Sequence, residues 1–161
     1  MKQLTLIRHA KSSWDYSVED RNRPLKERGM MDAEMVSSHV RGKVPVPDMA
    51  FSSPANRALH TCTIFLKNLD IPLSRLQLTE ALYDFSGSSV DHFLRTLDNR
   101  YKNVMIFGHN HAFTAVSNKF GDKYTDNLPT SGLVHITFKA EHWAEIGKGT
   151  TDLMVFPKHL R

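Results

Sequence analysis

Three short stretches of the sequence place cationic and imidazole side chains where apolar segments end. LTLIRH leads from an apolar run directly into Arg8 and His9, NVMIFGH ends on His109, and SSPANR places Arg57 shortly after a proline. Buried strands usually end in turns of Gly, Pro, Asn or Asp, so an Arg-His pair at such a position needs a chemical explanation. A guanidinium fork and an imidazole together suit an anionic group such as phosphate.

The chemistry that these residues could carry is nucleophilic attack on phosphorus. A neutral imidazole is nucleophilic at one nitrogen when the proton on the other nitrogen is held in place. We expect His9 to form a phosphohistidine in this way, which divides one hydrolysis into two easier displacements. Arg8 and Arg57 would stabilise the charge on the phosphoryl oxygens, because each guanidinium can hold two oxygens at once. Arg57 also falls near the N-terminus of a predicted helix, where free N–H groups favour an anion.

The elements that must position these residues alternate between strands and helices. Apolar runs predict strands at 3–8, 49–52, 76–78, 103–109, 132–138 and 151–156, and the last two are expected to be antiparallel. Helical spacing and terminators predict helices at 25–41, 54–69, 90–97 and 110–120. This alternation predicts an α/β fold, a three-layer sandwich with a mostly parallel central sheet flanked by helices. Ligands of such sheets collect beyond the carboxyl ends of the strands, where Arg8-His9, Ser52-Ser53 and Gly108-His109 all fall.

Length and composition limit the classes of protein that this chain can form. With 161 residues, 40% hydrophobic and 24% charged, it is expected to fold as one globular domain, residues 1–161. The formal net charge of +4 is modest and basic residues are interspersed with acidic ones, so nucleic acid is not an expected partner. No apolar run approaches the roughly 20 residues of a membrane span, so we expect a cytoplasmic protein without membrane contact. The single Cys62 excludes an internal disulfide and is expected to be a small buried side chain on a helix.

Four stretches, in order along the chain, resemble one known family. LIRHAKSSW resembles the Arg-His signature of the histidine phosphatase superfamily, SSPANRALHTC resembles its second signature, and FGHNH resembles its third. PTSGLVHITF resembles the segment before the last strands of that family. The small size, the RPL segment and the RHAKS wording are most similar to the SixA-like phosphohistidine phosphatases.

This resemblance implies a phosphoglycerate-mutase-like fold and a phosphatase that works through a phosphohistidine on His9. Its implied partner is a phosphorylated substrate, such as a phosphohistidine protein. No metal or other cofactor is expected, because the arginines and histidines already supply the positive charge that a metal would bring.

The resemblance also assigns roles to other residues of the site. His109 occupies the position that contacts the phosphoryl oxygens as a donor, and Asn110 could add its backbone N–H to the phosphate-binding pocket. His111 matches no signature position, and we expect an exposed histidine there. Arg23, in NRPLKERG, matches a position of SixA-like chains and is expected to fix the first loop against Asp20.

The proton donor for the leaving group is the least defined part of the site. Glu80, in LTEALYDF, resembles the Leu-x-Glu position of the donor in phosphoglycerate-mutase-like relatives, and a carboxylic acid with a raised pKa could protonate an alcohol. Its rivals on nearby loops are Asp15, Asp20 and Asp84. A phosphohistidine substrate needs less help, because an imidazole leaves readily once its ring is protonated.

Two other functions are compatible with parts of the pattern. A metallohydrolase could use His9, His109 and His111, but the HExxH pattern is absent and the arginines would repel a divalent cation. A phosphoprotein-binding module without turnover would need no catalytic residues, yet every candidate catalytic residue is present.

A small-molecule phosphatase of the same family is the third alternative. Enzymes that select small phosphates commonly use a lid or an inserted subdomain, and this chain has little room for one. The loop at 11–24 and the stretch TEALYDFSGSS are left to form the rim, and they are rich in Ser and Asp with few large apolar residues. We therefore expect an open pocket suited to a phosphohistidine that protrudes from a protein. The sequence specifies neither the physiological substrate nor the oligomeric state.

Overall fold

The central sheet combines a parallel part with an antiparallel edge. The computed structural model describes all 161 residues, and its strands are β1 Lys2–Arg8, β2 Met49–Ser52, β3 Leu76–Leu78, β4 Asn103–Gly108, β5 Leu133–Phe138 and β6 Thr150–Val155. They lie in the order β3-β2-β4-β1-β5-β6. The first four are parallel, whereas β5 pairs antiparallel with both β1 and β6. The predicted strands, including the antiparallel last pair, are confirmed to within two residues.

Helices cover both faces of this sheet, as predicted. They are α1 Glu27–Val40, α2 Asn56–Asn68, α3 Ser88–Arg95 and α4 Ala112–Phe120. Successive side chains of a strand point to opposite faces. Met105 of β4 accordingly packs in one core with Phe65 of α2, and its neighbour Ile106 packs in the other core with Phe113 of α4. The α/β fold is therefore the expected three-layer sandwich.

The helices begin and end close to the predicted positions, with local reasons for the differences. The first helix begins at Glu27 and not at Leu25, because Leu25 forms an isolated antiparallel bridge with Ser12. The third begins at Ser88, because the Asp84 carboxylate accepts the N–H groups of the following turn.

The apolar residues of α1 do not all face the core. Met31, Met35, Val36 and Val40 recur near a helical period. Val36 and Val40 are fully buried, but Met31 is 64% exposed. At 100° per residue, Met31 lies about 140° around the helix from Val36 and therefore outside the buried face.

The start of α1 is packed tightly against the loop that follows β1. A Cβ atom on Gly29 would lie 2.2 Å from the carbonyl oxygen of Lys11, so only glycine allows this approach. The backbone N–H of Lys26 donates to the same oxygen at 2.9 Å. Helix α1 therefore supports the chain immediately after His9.

Two further sequence expectations concern burial and apolar length. Cys62 is fully buried on α2, as expected, and burial raises the pKa of its thiol. None of the four α-helices has the length and apolar character that crossing a bilayer would require.

Candidate active site

The parallel pairing of β1 and β4 places two histidines side by side. Arg8 pairs with Gly108 at the carboxyl ends of these neighbouring strands, so His9 and His109 leave the sheet together. Their ring centroids are 5.3 Å apart, with the ring planes inclined by 55°. Strand β2 is the other neighbour of β4, and it leads through Ser53 into α2 and Arg57. The three sequence stretches therefore meet at one edge of the sheet.

His9 is held as a neutral imidazole with one nitrogen free. Its Nδ1 lies 2.7 Å from the carbonyl oxygen of Ala10, and since a carbonyl can only accept, Nδ1 carries the proton and donates. Its Nε2 makes no hydrogen bond with the protein. Burial, together with the charges of Arg57 and Arg8, lowers the pKa of His9 to about 3. At neutral pH the lone pair of Nε2 is therefore available to attack an electrophile.

His109 is also buried and uncharged at neutral pH. Its Nε2 lies 2.8 Å from Ser53 Oγ, whereas its Nδ1 is buried without a partner. Burial, followed by the charges of Arg57 and Arg8, lowers the pKa of His109 to about 3. A buried ring nitrogen without a partner costs free energy unless a ligand completes its hydrogen bond.

Arg57, at the first turn of α2, is anchored by the loop that follows β1. It donates from Nη1 to the carbonyl oxygen of Asp20 at 2.7 Å and from Nη2 to the carboxylate of Asp20 at 3.0 Å. Its side chain is almost fully buried, and its Nε has no partner. Asp20 therefore fixes the outer edge of this guanidinium and leaves its Nε–H unused.

The carboxylate of Asp20 is the hub of a small polar network. Besides Arg57, it accepts a hydrogen bond from the Tyr83 hydroxyl at 2.5 Å and one from Arg23 at 3.4 Å. Burial opposes ionisation, but the hydrogen bonds from Tyr83 and Arg57 outweigh it and lower the pKa of Asp20 to about 2. The group is an anion throughout the neutral range, and it joins two loops across the site.

Arg8 presents a second cation to the same space. It donates from Nη1 to the carbonyl oxygen of Leu128 at 2.9 Å, and its Nε is buried without a partner. Burial, and then the neighbouring charge of Arg57, lowers the pKa of Arg8. Two guanidinium groups that repel each other in a partly dehydrated site would be stabilised by an anion between them.

Arg23 makes the contact with Asp20 that the sequence predicts, and it also orders the loop at 11–24. Its guanidinium donates to Ser12 Oγ at 2.5 Å and to the carbonyl oxygen of Ser13 at 3.2 Å. The same group lies 3.2 Å from the ring centre of Trp14. A cation over an aromatic face is attracted by the ring quadrupole, so this stack holds Trp14 at the surface.

Glu80 lies at the rim of the site in an ion pair. Its side chain is 68% exposed, and Arg21 pairs with its carboxylate. The hydrogen bond from Arg21 lowers the pKa of Glu80, whereas a proton donor needs a raised pKa. Its role as proton donor stays a prediction that would require this ion pair to open.

The rival carboxylates differ in their surroundings. Asp84 is buried and accepts hydrogen bonds from the backbone N–H groups of Ser86, Gly87, Ser89 and Val90. Burial opposes ionisation of Asp84, but these bonds prevail and lower its pKa. Asp15 is exposed on the first loop, where its backbone N–H donates to Ser13 Oγ. Asp84 thus holds the turn before α3, and Asp20 is the carboxylate that directly contacts a cation of the site.

The segment after β4 places Asn110 and His111 differently. The amide oxygen of Asn110 accepts hydrogen bonds from the backbone and hydroxyl of Thr114. The backbone N–H of Asn110 makes no hydrogen bond within the protein, so it can serve a ligand. His111 is exposed at the start of α4, as expected, and no three histidine, cysteine or carboxylate side chains are gathered in a metal-binding arrangement.

Sequence reasoning missed three features of the site. The sequence places Ser53 only at a strand end, although its position immediately before the predicted helix is a signal. The contact of Tyr83 with Asp20 joins segments 63 positions apart and left no local signal. The expectation of few large apolar residues at the rim was wrong, because Trp14 is 75%, Tyr16 62% and Phe85 46% exposed.

Together, these features define a class of enzyme. A largely buried site with two guanidinium groups, a neutral imidazole with a free nitrogen, and N–H donors without partners fits a tetrahedral oxyanion. A hydrolase that acts on phosphate compounds through a histidine nucleophile is the class that combines these parts.

The sequence comparisons agree with this class. The sequence model of the histidine phosphatase superfamily (branch 1) matches residues 4–89. This match covers more than half of the chain. The chain therefore belongs to the histidine phosphatase superfamily and is a histidine-nucleophile phosphatase. A protein of Mycobacterium tuberculosis described as uncharacterised is 25% identical over 160 residues, covering 93% of this chain and 98% of the relative.

Solved structures share the fold. The chain is similar to the protein histidine phosphatase SixA complexed with tungstate, with a TM-score of 0.81, 22% identity and 99% of each chain covered. It is also similar to the alpha-ribazole phosphatase from Shigella flexneri, with a TM-score of 0.69, 15% identity and 96% of each chain covered. At these identities the likeness concerns the phosphoglycerate-mutase-like fold and leaves the substrate open.

Proposed function

We propose that the protein hydrolyses phosphohistidine on other proteins through a covalent phosphohistidine on His9. The observation that carries this proposal is the free Nε2 of a neutral, buried His9 whose other nitrogen donates to the Ala10 carbonyl. This hydrogen bond fixes both the tautomer and the direction of the ring, as a histidine nucleophile requires.

In the first step, the Nε2 lone pair of His9 forms a bond to phosphorus while the bond between phosphorus and the substrate nitrogen breaks. The electron pair of that bond stays with the substrate imidazole, which is protonated on its other nitrogen and so leaves as a neutral ring. Arg8 and Arg57 stabilise the charge on the transferring oxygens, and their buried Nε–H groups have no partner within the protein.

In the second step, water attacks the phosphorus carried by His9. The bond from phosphorus to Nε2 breaks, its electron pair returns to the ring, and inorganic phosphate leaves while one proton of the water passes to solvent. His109 and the backbone N–H of Asn110 supply further hydrogen bonds to the phosphoryl oxygens in both steps.

The surroundings of the site favour a protein substrate over a small metabolite. His9, Arg57 and His109 form a recessed floor, and none of them lines either of the two cavities of about 560 Å³ in the surface. Exposed aromatic side chains at the rim, such as Trp14 and Tyr16, are typical of protein contact surfaces. The structural likeness to SixA supports the same substrate class.

Trapping of the intermediate tests the proposal. The wild-type protein, mixed with a ³²P-phosphohistidine protein and quenched, should carry label that is labile in acid and stable in base. His9→Ala should carry none, whereas the control His111→Ala, which changes an exposed neighbour, should be labelled like the wild type. Label on another residue would contradict the assignment of His9.

Relative rates on two substrates decide the substrate class. The catalytic efficiency should be higher for the phosphohistidine protein than for small phosphorylated metabolites. The reverse order would favour a small-molecule phosphatase of the same superfamily. Equal and negligible phosphate release by the wild type and His9→Ala, with phosphoprotein binding intact in both, would favour a binding module.

A further inference from the structure

A polar groove of about 560 Å³ opens in the surface beside the catalytic cluster. It is bounded by the start of α1, the segment 125–130 and the C-terminal turn at 156–158. Two links connect it to the site. Lys11 lines the groove and lies two residues after His9, and Leu128, whose carbonyl holds Arg8, lies between the groove residues Asn127 and Pro129.

The groove is lined by more cationic side chains than carboxylates. Lys11, Arg28 and Lys158 line it, are exposed, and form no ion pair. Asp32 is already matched, because Arg161 donates to both of its carboxylate oxygens at 2.9 Å. Asp126 is the other acidic residue of the lining. The net charge of the groove is therefore positive.

The shape and lining of the groove limit the kinds of ligand that it could bind. Phe156 is its only hydrophobic residue apart from prolines, so an apolar segment would gain little there. No set of exposed aromatic rings lines it for the stacking of bases, as a single-stranded nucleic acid would require. Three unpaired cations spread around about 560 Å³ fit several carboxylates along a chain better than one small anion.

We propose that this groove binds an acidic segment of the phosphoprotein substrate while the phosphohistidine occupies the site beside it. The inference rests on the proposed function and deepens it, because it makes charge near the phosphohistidine a determinant of substrate choice. Exposed cations of this kind act through long-range attraction, so their effect lies mainly in association and weakens with salt.

Matched peptides test the proposal. Each carries one phosphohistidine, with four glutamates or four glutamines placed either before or after it. For the wild type at low ionic strength, we expect kcat/KM for at least one glutamate peptide to exceed that of its glutamine partner about tenfold, since several weak exposed ion pairs acting together reach this factor. In 0.5 M salt the ratio should approach one.

A charge-matched pair of double variants separates the groove from the net charge. Arg28→Glu with Lys158→Glu should abolish the preference for glutamate. Lys43→Glu with Lys67→Glu should preserve the preference. Both lysines are exposed at the C-terminal ends of α1 and α2, whereas the N-terminal ends of these helices lie at the site. An equal loss of preference in both double variants, or no preference in the wild type, would overturn the groove proposal.

Failure of the proposed function would be seen separately. It would appear as an absence of phosphate release from every phosphohistidine peptide by the wild type. In that case fluorescence anisotropy with the unphosphorylated peptides still tests the groove. Tighter binding of a glutamate peptide by the wild type than by the Arg28→Glu and Lys158→Glu variant supports it, and equal binding refutes it.

Discussion

Ser53 Oγ lies 2.8 Å from Nε2 of His109, and the other ring nitrogen of His109 has no partner. Ser53 Oγ also accepts the backbone N–H of Ala55 at 3.2 Å, which leaves its own proton free to be donated to Nε2. In that arrangement Nδ1 of His109 carries the ring proton. His109 would therefore donate to a phosphoryl oxygen from Nδ1. Ser53 would be a positioning residue, which sets the tautomer of His109 and does not touch the substrate.

Replacement of Ser53 by alanine should lower kcat about tenfold with a smaller change in KM. Loss of one oriented donor reduces the stabilisation of the transition state more than the binding of the substrate. The ¹⁵N shifts of His109 should show a changed proportion of its two tautomers. Ser52→Ala is the matched control, since this equally buried hydroxyl donates to the Ser53 carbonyl and contacts no imidazole. A normal kcat in Ser53→Ala, or unchanged ¹⁵N shifts of His109, would contradict the positioning role.

Two of the three buried histidines, His9 and His109 in the site, should make stability depend on pH. Burial lowers the pKa of His9 and of His109 from 6.5 to about 3. The unfolded chain binds protons at both residues below about pH 6.5, whereas the folded protein does so only near pH 3. Their stabilising contribution is therefore complete above pH 6.5 and is lost as the pH falls towards 3, by up to about 1.4 kcal/mol per pH unit for each histidine.

Urea unfolding between pH 7 and 4.5 measures this slope. Asp20 does not titrate in this pH range. Burial opposes its ionisation, but its hydrogen bonds prevail and lower its pKa to about 2. The variant His9→Gln with His109→Gln should unfold with a flatter pH dependence, whatever its absolute stability. A slope equal to that of the wild type would show that other groups cause the effect.

The arginines should be intolerant even of lysine. Arg57→Ala and Arg8→Ala should each lose on the order of 10²-fold or more in kcat/KM, because each removes a donor aimed at developing charge. Lysine should restore little, because one ammonium cannot replace the planar, separated nitrogens of a guanidinium, two of which hold Asp20 in the case of Arg57. Steady-state kinetics of the four variants check this, and near-normal Arg57→Lys would mean that a point charge suffices.

The fold and the floor of the site could be predicted because their signals are local. An apolar run that ends in His9 or His109 predicts both a buried strand and the edge at which it delivers its side chain. The observed register, in which Arg8 pairs with Gly108, then brings the two histidines together.

The contacts around this floor could not be predicted, because they join residues far apart in the chain. Asp20 contacts Arg57 across 37 positions of sequence. The loop that carries Asp20 has no repeating pattern that would predict its course through the structure. Likewise, no local pattern predicts that Arg23 lies over the ring of Trp14, a side chain that is 75% exposed.

The role of Glu80 can be tested through the leaving group. An alcohol needs a proton as it leaves, whereas a nitrophenolate does not. If Glu80 donates that proton, Glu80→Gln should lose about tenfold in kcat/KM on an alkyl phosphate and little on nitrophenyl phosphate. Arg21→Ala removes the partner that lowers the pKa of Glu80 and should act in the opposite direction on the alkyl phosphate. Equal losses on both esters in Glu80→Gln would exclude this carboxyl as the donor.

The close approach of α1 to the first loop should make Gly29 irreplaceable. A Cβ atom at this position would lie 2.2 Å from the Lys11 carbonyl oxygen and 2.9 Å from its nitrogen, and both belong to the backbone. Backbone cannot rotate away as a side chain can, so the helix and the loop must separate. Overpacking of this kind typically costs about 1–3 kcal/mol, which the higher helix propensity of alanine offsets only by up to about 1 kcal/mol. Urea unfolding of Gly29→Ala should therefore show a lower free energy of unfolding. Because Lys11 follows His9 by two residues, kcat/KM should fall as well.

Gly147→Ala is the control, since a Cβ atom there would meet nothing within 4 Å, and it should leave both quantities unchanged. Wild-type stability and activity in Gly29→Ala would show that α1 does not hold the loop in place.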